Sequence, residues 1–465
     1  MFNLRRYLTG PPWRSLALLA LAVAPAPATA VHGQVPPVGS GYWHTDGTTI
    51  LDADNRPVRI AAVNWYGMET ANWVPAGLDY QPYTTIMRII KLLGYNTIRL
   101  PFSNELVERD PVVHSAIAAN AEFRGLHALQ VMDAIVAYAG RIGLKIILDD
   151  QRSRAPRPTQ INTPNEPFWY SARYPESAWI NDWVVLARRY LDNDAVIGAD
   201  LRNEPHVPGQ GPFAVSAYVQ RGPTWGPYNG VENPKTDWRL AAQRAGDAIL
   251  SADPHLLIIV EGLQLYPDPS QPRGVSSSWW AGILTPAQTF PVTLDVPHEL
   301  VYSVHDYGPV KHAMPWFTPL SYHSLVAAWH RNWAFLLDNP DATNAAPVFV
   351  GEFGTCNTDP TCVQRRKPDN QAAWFQGVVR FLRRHPTVGW GLFALNGTNA
   401  NNCQTTNGLL SPAWNNVSDI ALQRSLRSIE PQPGVLPSRT GVPLIPGATT
   451  SRLPRDPHSA LCLLP

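Results

Sequence analysis

Eight short runs rich in valine and isoleucine recur from residue 58 onward, most of them separated by stretches with helical periodicity. This alternation restricts the fold more than any other feature of the chain. The runs are "VRIAAVNW" (58–65), "YNTIRLP" (95–101), "LKIILDD" (144–150), "VIGADLRNEP" (196–205), "LLIIVEG" (256–262), "LVYSVHDY" (300–307), "PVFVGEFG" (347–354) and "VGWGLFALN" (388–396). Near-continuous apolar strands, rather than alternating ones, are buried on both faces, which is the signature of a parallel sheet covered by helices. Segments such as 83–94, 128–143, 177–190 and 237–253 supply the helices, and Gly94 and Gly143 stand where a left-handed residue ends a helix. Eight strands predict a closed (β/α)8 TIM barrel. An open doubly wound sheet is the alternative, but no glycine-rich phosphate loop follows the first run.

Two flanking regions complete the organisation. Residues 41–60, with Asp46-Gly47 and Asn55 as turn signals, read as a short N-terminal β-hairpin capping the barrel bottom. Residues 431–465 are too rich in proline for helix or central strand and read as a Pro-rich C-terminal tail that adds no core. The catalytic domain is thus placed at 41–430. At the front, Arg5, Arg6 and Arg14 precede a short apolar run and the small-x-small pair Ala28 and Ala30, so residues 1–30 read as a signal peptide and the protein as secreted. In such an oxidising setting Cys356 and Cys362 are close enough to clip one loop, although four cysteines allow three pairings. Neither CxxC nor a nearby histidine pair favours zinc, so no metal is expected.

Charge narrows the partners. Lys+Arg total 37 against 36 Asp+Glu, a net charge of +1, which argues against nucleic acid or an anionic membrane as the main partner. The 17 Trp and 16 Tyr point instead to surfaces for flat, half-apolar ligands such as sugars. A monomer is the default expectation.

Active sites of such barrels form at the C-terminal strand ends. There the runs display Arg99, Gln151, Asn203-Glu204, His305-Asp306-Tyr307 and Glu352. Asn-Glu-Pro occurs twice, but the copy at 165–167 lies in a proline-rich loop and the copy at 203–205 closes the fourth run, so Glu204 is the candidate and Glu166 the decoy. Glu352, on the seventh run, faces it across the mouth. Two such carboxyls suit retaining glycoside hydrolysis, one as acid/base and the other as nucleophile. Arg99 and Tyr307 are placed to hydrogen-bond Glu352. Trp65, Trp279 and Trp280 are candidate sugar platforms.

The stretches "ILDADNRPVRIAAVNWYGMET", "LGYNTIRLPFS", "QVMDAIVAYAGRIGLKIILD", "DWRLAAQRAG", "LVYSVHDY" and "VFVGEFGT" resemble family 5 of the glycoside hydrolases, the cellulase family, and among its members the bacterial secreted endo-β-1,4-glucanases. The resemblance runs from about residue 41 to 414. It implies a (β/α)8 barrel, a retaining mechanism on polysaccharide or oligosaccharide, no cofactor, and Glu352 as nucleophile with Glu204 as acid/base, an acid role that needs a Glu204 pKa raised by proximity to Glu352. It further implies that Asn203 binds the sugar 2-hydroxyl and that Arg99, His305 and Tyr307 line the cleaved-bond subsite. Two positions depart from the pattern: Gln151 stands where the family shows histidine, and Phe393 where it shows the stacking tryptophan. These predict a shifted sugar preference or a slower enzyme. Mannan, xyloglucan or short glycosides are therefore alternative substrates, and a carbohydrate-binding pseudo-enzyme is the reading from another class.

Overall fold

The computed structural model describes residues 38–157, 166–209, 215–340, 342, 344–357, 360–364, 370–440 and 442–448. The leader read at 1–30, the end of the tail and Cys462 lie outside these residues.

Three short strands come first: β1 (His44–Asp46), β2 (Thr49–Leu51) and β3 (Pro57–Val58), paired antiparallel in that order. The expected hairpin is therefore a three-stranded sheet, and the run at 58–65 is split between it and the barrel. Eight parallel strands follow and close on themselves: β4 (Ala61–Asn64), β5 (Thr97–Ser103), β6 (Lys145–Arg152), β7 (Val196–Asp200), β8 (Leu257–Glu261), β11 (Leu300–Tyr307), β12 (Val348–Gly354) and β13 (Gly389–Leu392). A side hairpin of β9 (Leu265–Pro267) and β10 (Val275–Ser277) leaves the top of β8. The outer ring includes α1 (Tyr83–Leu92), α3 (Ala128–Ile142), α4 (Glu176–Arg189), α6 (Trp238–Ala252), α7 (Tyr322–Asn332) and α8 (Asn370–Arg384), with α2 (Asn104–Arg109) and α5 (Val215–Arg221) in the connections and α9 (Ile420–Arg427) after the last strand. Gly143 ends α3 with φ 69°, the left-handed geometry its position predicts.

The two-residue period of a strand sorts the side chains. In β4, Ala61 and Val63 belong to the main core, whereas Ala62 joins an axial cluster with Ile147, Ile197, Leu257, Ile259, Val301 and Phe349. Trp43 and Ile50 of the N-terminal sheet join the same cluster, so that sheet plugs the barrel from below. It is stitched there by Thr45, whose N–H donates to the His298 carbonyl at 2.7 Å.

The tail differs from its expectation. Its described residues up to 448 hold no helix or strand, yet they pack on the barrel: Ile445 is buried in the main core, Val435 N–H donates to the Leu92 carbonyl, and the Asn416 amide donates to the Arg439 carbonyl. Proline excludes regular ladders but not side-chain burial.

Candidate active site

Arg99 organises the top of the barrel. Fully buried on β5, it donates from Nε to Asp200 at 2.8 Å, from Nη1 to Glu352 Oε1 at 2.9 Å and Asn64 at 3.0 Å, and from Nη2 to Asp149 at 2.9 Å, Glu261 Oε1 at 3.0 Å and Asn203 at 3.1 Å. Only a delocalised planar cation with five N–H groups can serve so many acceptors at once. Burial works against its charge, but the surrounding carboxylates raise its pKa well above the ordinary value.

Glu352, on β12, has both oxygens engaged: Arg99 holds Oε1, and the Tyr307 hydroxyl donates to Oε2 at 2.6 Å. Its side chain is 5 % exposed. Glu204, 14 % exposed, lies past the end of β7 rather than on it. Its backbone adopts φ 52°, a left-handed conformation rare for a residue with a Cβ, and its N–H donates to Glu261 Oε2 at 2.6 Å. The loop is thus anchored to β8. A Glu204 carboxylate oxygen and a Glu352 carboxylate oxygen lie within 4.8 Å of each other, both lining one cleft of about 1540 Å³. His305 joins them, with Nδ1 2.9 Å from Glu204 Oε1 and 3.7 Å from Glu352 Oε2. Its Nε2 is 3.2 Å from Glu261 Oε1.

The proton distribution corrects one expectation. Burial pushes the Glu204 carboxyl up, but the hydrogen bond and charge of His305 outweigh it and hold the group below its ordinary value. Conversely, burial lowers the His305 pKa, while the Glu261 and Glu352 charges raise it well above the ordinary range. The resting pair therefore carries its proton on His305. Glu352 is not the dominant neighbour of Glu204; the imidazole 2.9 Å away is.

Of the other predicted residues, Gln151, Phe393 and Trp280 line the cleft. Phe393 stacks on Tyr66 with ring centres 5.5 Å apart, and Trp280 stacks on His206 at 3.8 Å. Asn203 is buried against Arg99. Gln151 keeps a buried carbonyl oxygen without a partner among the described residues. Trp65 is a correction: it is fully buried, donates its indole N–H to the Ala76 carbonyl and does not line the cleft. Strand parity explains this, because Val63 and Trp65 share the outward face with the main core. Glu166 accepts from Ser153 N–H and Arg202, a structural role. Cys356 and Cys362 form a disulfide just after β12, with Cα atoms 5.6 Å apart.

The sequence reading left out Glu261, which touches Arg99, His305 and the Glu204 backbone. The same parity would have found it: Leu257 and Ile259 face the axis, so Glu261 must follow.

Comparison with known proteins agrees with this geometry. Residues 51–399 match the family model described as cellulase, glycosyl hydrolase family 5. An endoglucanase of Paenibacillus polymyxa is 38% identical over 376 residues, 80% of this chain and 83% of that protein. The major extracellular endoglucanase of Xanthomonas campestris pv. campestris is 28% identical over 87% of this chain and 73% of its own length. An endocellulase of Pyrococcus horikoshii, solved as a complex with cellotetraose, superposes with a TM-score of 0.70 at 31% identity, covering 84% of this chain and 99% of that one. The arrangement of carboxylates and the match over three quarters of the sequence lead to one conclusion: this chain belongs to the cellulase family, glycosyl hydrolase family 5, and is a glycoside hydrolase.

Proposed function

We propose that the protein is a secreted endo-β-1,4-glucanase-type enzyme that cleaves β-glucan with retention, Glu352 acting as nucleophile and Glu204 as acid/base. The observation carrying this reading is the spacing of the two carboxylates. Oxygens within 4.8 Å suit direct attack, whereas inversion needs carboxyls about 6.5–9.5 Å apart to admit a water. The endoglucanases of Paenibacillus polymyxa and Xanthomonas campestris pv. campestris support the substrate class, and the latter's description as extracellular supports export through the leader at 1–30. No helix among the described residues is long and apolar enough to cross a membrane.

In the first step Glu352 attacks the anomeric carbon, aimed by the hydrogen bonds from Arg99 and Tyr307. The proton shared by His305 and Glu204 moves to Glu204 and on to the leaving oxygen. Esterified Glu352 no longer carries charge toward His305, so the proton affinity of the pair drops and Glu204 is ready to accept a proton from the incoming water. Phe393, seated on Tyr66, offers a ring face to the apolar side of the sugar, and Asn203 is held by Arg99 toward its 2-hydroxyl.

Glu352→Gln should lower turnover of an activated aryl β-cellobioside by about 10³-fold or more. Near-normal rates would refute the assignment. Reducing-end release from β-1,4-glucan, mannan and xyloglucan separates the substrate readings, and no release from any would favour a pure binder.

A further inference from the structure

The two sides of the cleft differ in charge. Among the described residues lining it, the acidic groups are Glu69, Glu204 and Glu352. Glu69 lies on the far side, where Arg152 offsets it. The wall beyond Glu204 is different. It is built from the β9–β10 turn, the loop after β11 and the last turn of α7, and it presents Arg273, Lys311 and Arg331, all exposed. No ion pair joins any of the three to an acidic side chain among the described residues. Asp268, at the start of the same turn as Arg273, is satisfied by Ser270 and Ser276 instead. Trp279 and Trp280 line the same cleft and supply sugar-sized ring surface.

A chain with 37 basic and 36 acidic residues has no general excess of either sign, so this one-sided wall is local. Trp280 stacks on His206, whose Nδ1 lies 2.7 Å from the Glu204 carbonyl, so this end of the wall adjoins the proton donor, while Lys311 stands 5.9 Å over the Tyr307 ring. The donor must sit beside the leaving oxygen, so the sugars that depart lie along this wall.

We propose that the wall recognises carboxylate groups on the leaving-group side of its substrate, making the preferred chain an acid-substituted β-1,4-glucan rather than plain cellulose. The proposal rests on the hydrolase reading above and adds the substituent. Unpaired cations in a cleft focus a positive field on the incoming polymer and raise its local concentration. Each contact remains solvent-exposed, so the gain is modest and falls with salt.

The test compares kcat/KM on carboxymethyl-cellulose and hydroxyethyl-cellulose of matched length and substitution. The full chain should favour the carboxymethyl polymer at low salt, and the preference should vanish near 0.5 M NaCl, where the screening length is only about 4 Å. Arg273→Gln combined with Arg331→Gln should reduce the carboxymethyl-to-hydroxyethyl ratio about threefold to tenfold. A ratio insensitive to salt and to the double variant, or an equal loss on both polymers, overturns the proposal. If the full chain turns over neither polymer, the hydrolase reading fails instead. Calorimetric binding to the Glu352→Gln chain then decides the wall by itself: tighter binding of C6-carboxylated cellotetraose than of cellotetraose, fading with salt, supports it, and equal affinity overturns it.

Discussion

Glu261→Gln isolates the electrostatic work of a residue that touches no substrate. Glu261 Oε1 lies 3.2 Å from His305 Nε2, a separation worth about 5 kcal/mol at an effective dielectric of about 20. Arg99 Nη2, 3.0 Å from the same oxygen, cancels most of that field. The residue should be on the order of one pH unit, or about 1.4 kcal/mol. The sign follows from Glu261 being the foremost charge that raises the His305 pKa. Removing it weakens the hold of the His305–Glu204 pair on its proton. Geometry adds to this: with its carbonyl kept toward the Glu204 N–H, the new amide points its NH2 at Nε2, which can receive it only as a neutral imidazole. The basic limb of the kcat/KM profile on an aryl β-cellobioside should therefore move to lower pH. A limb that stays in place, or moves up, refutes the shared-proton account. Stability gives an independent reading. Burial pushes Glu261 from 4.5 up to about 7, so its contribution is fully present below 4.5 and is lost as pH rises through 7. The variant lacks that loss, and its Tm should fall less between pH 5 and pH 8.

Other perturbations address the scaffold. Arg99→Ala strands four buried carboxylates and should cost about 3–5 kcal/mol in urea unfolding; an unchanged midpoint would contradict its bridging role. Replacing Cys356 and Cys362 together by serine opens a short loop and should cost about 2 kcal/mol by loop entropy in urea unfolding; an unchanged midpoint would show the bridge to be idle. Ending the chain at Glu430 removes Ile445 from the core and should lower stability by about 1.5–3 kcal/mol. Identical unfolding of that shortened chain would show the tail to be idle.

The barrel was legible because each of its strands is a compact apolar run, and composition alone separates such runs from the helices between them. Glu204 and Glu352 were legible because strand ends in this fold point at one mouth. What escaped has physical causes. Glu261 was passed over because a strand-end glutamate beside glycine looks like a backbone partner, and only the alternation of Leu257 and Ile259 shows where it aims. Trp65 misled in the opposite way, since the ring that packs a core is the ring that stacks on sugar. The protonation of Glu204 depends on an imidazole 101 positions away in sequence, a distance no local pattern spans.

The plug of Trp43 and Ile50 beneath the barrel bears on where a recombinant chain can be cut. The family match covers 51–399, and trimming to those ends would discard both plug residues together with α9 and Ile445. The floor under Arg99 would then open to solvent from below, and water would reach the inner strands from the side opposite the substrate. The foldable unit is wider than the homologous one, and its margins start no later than Trp43.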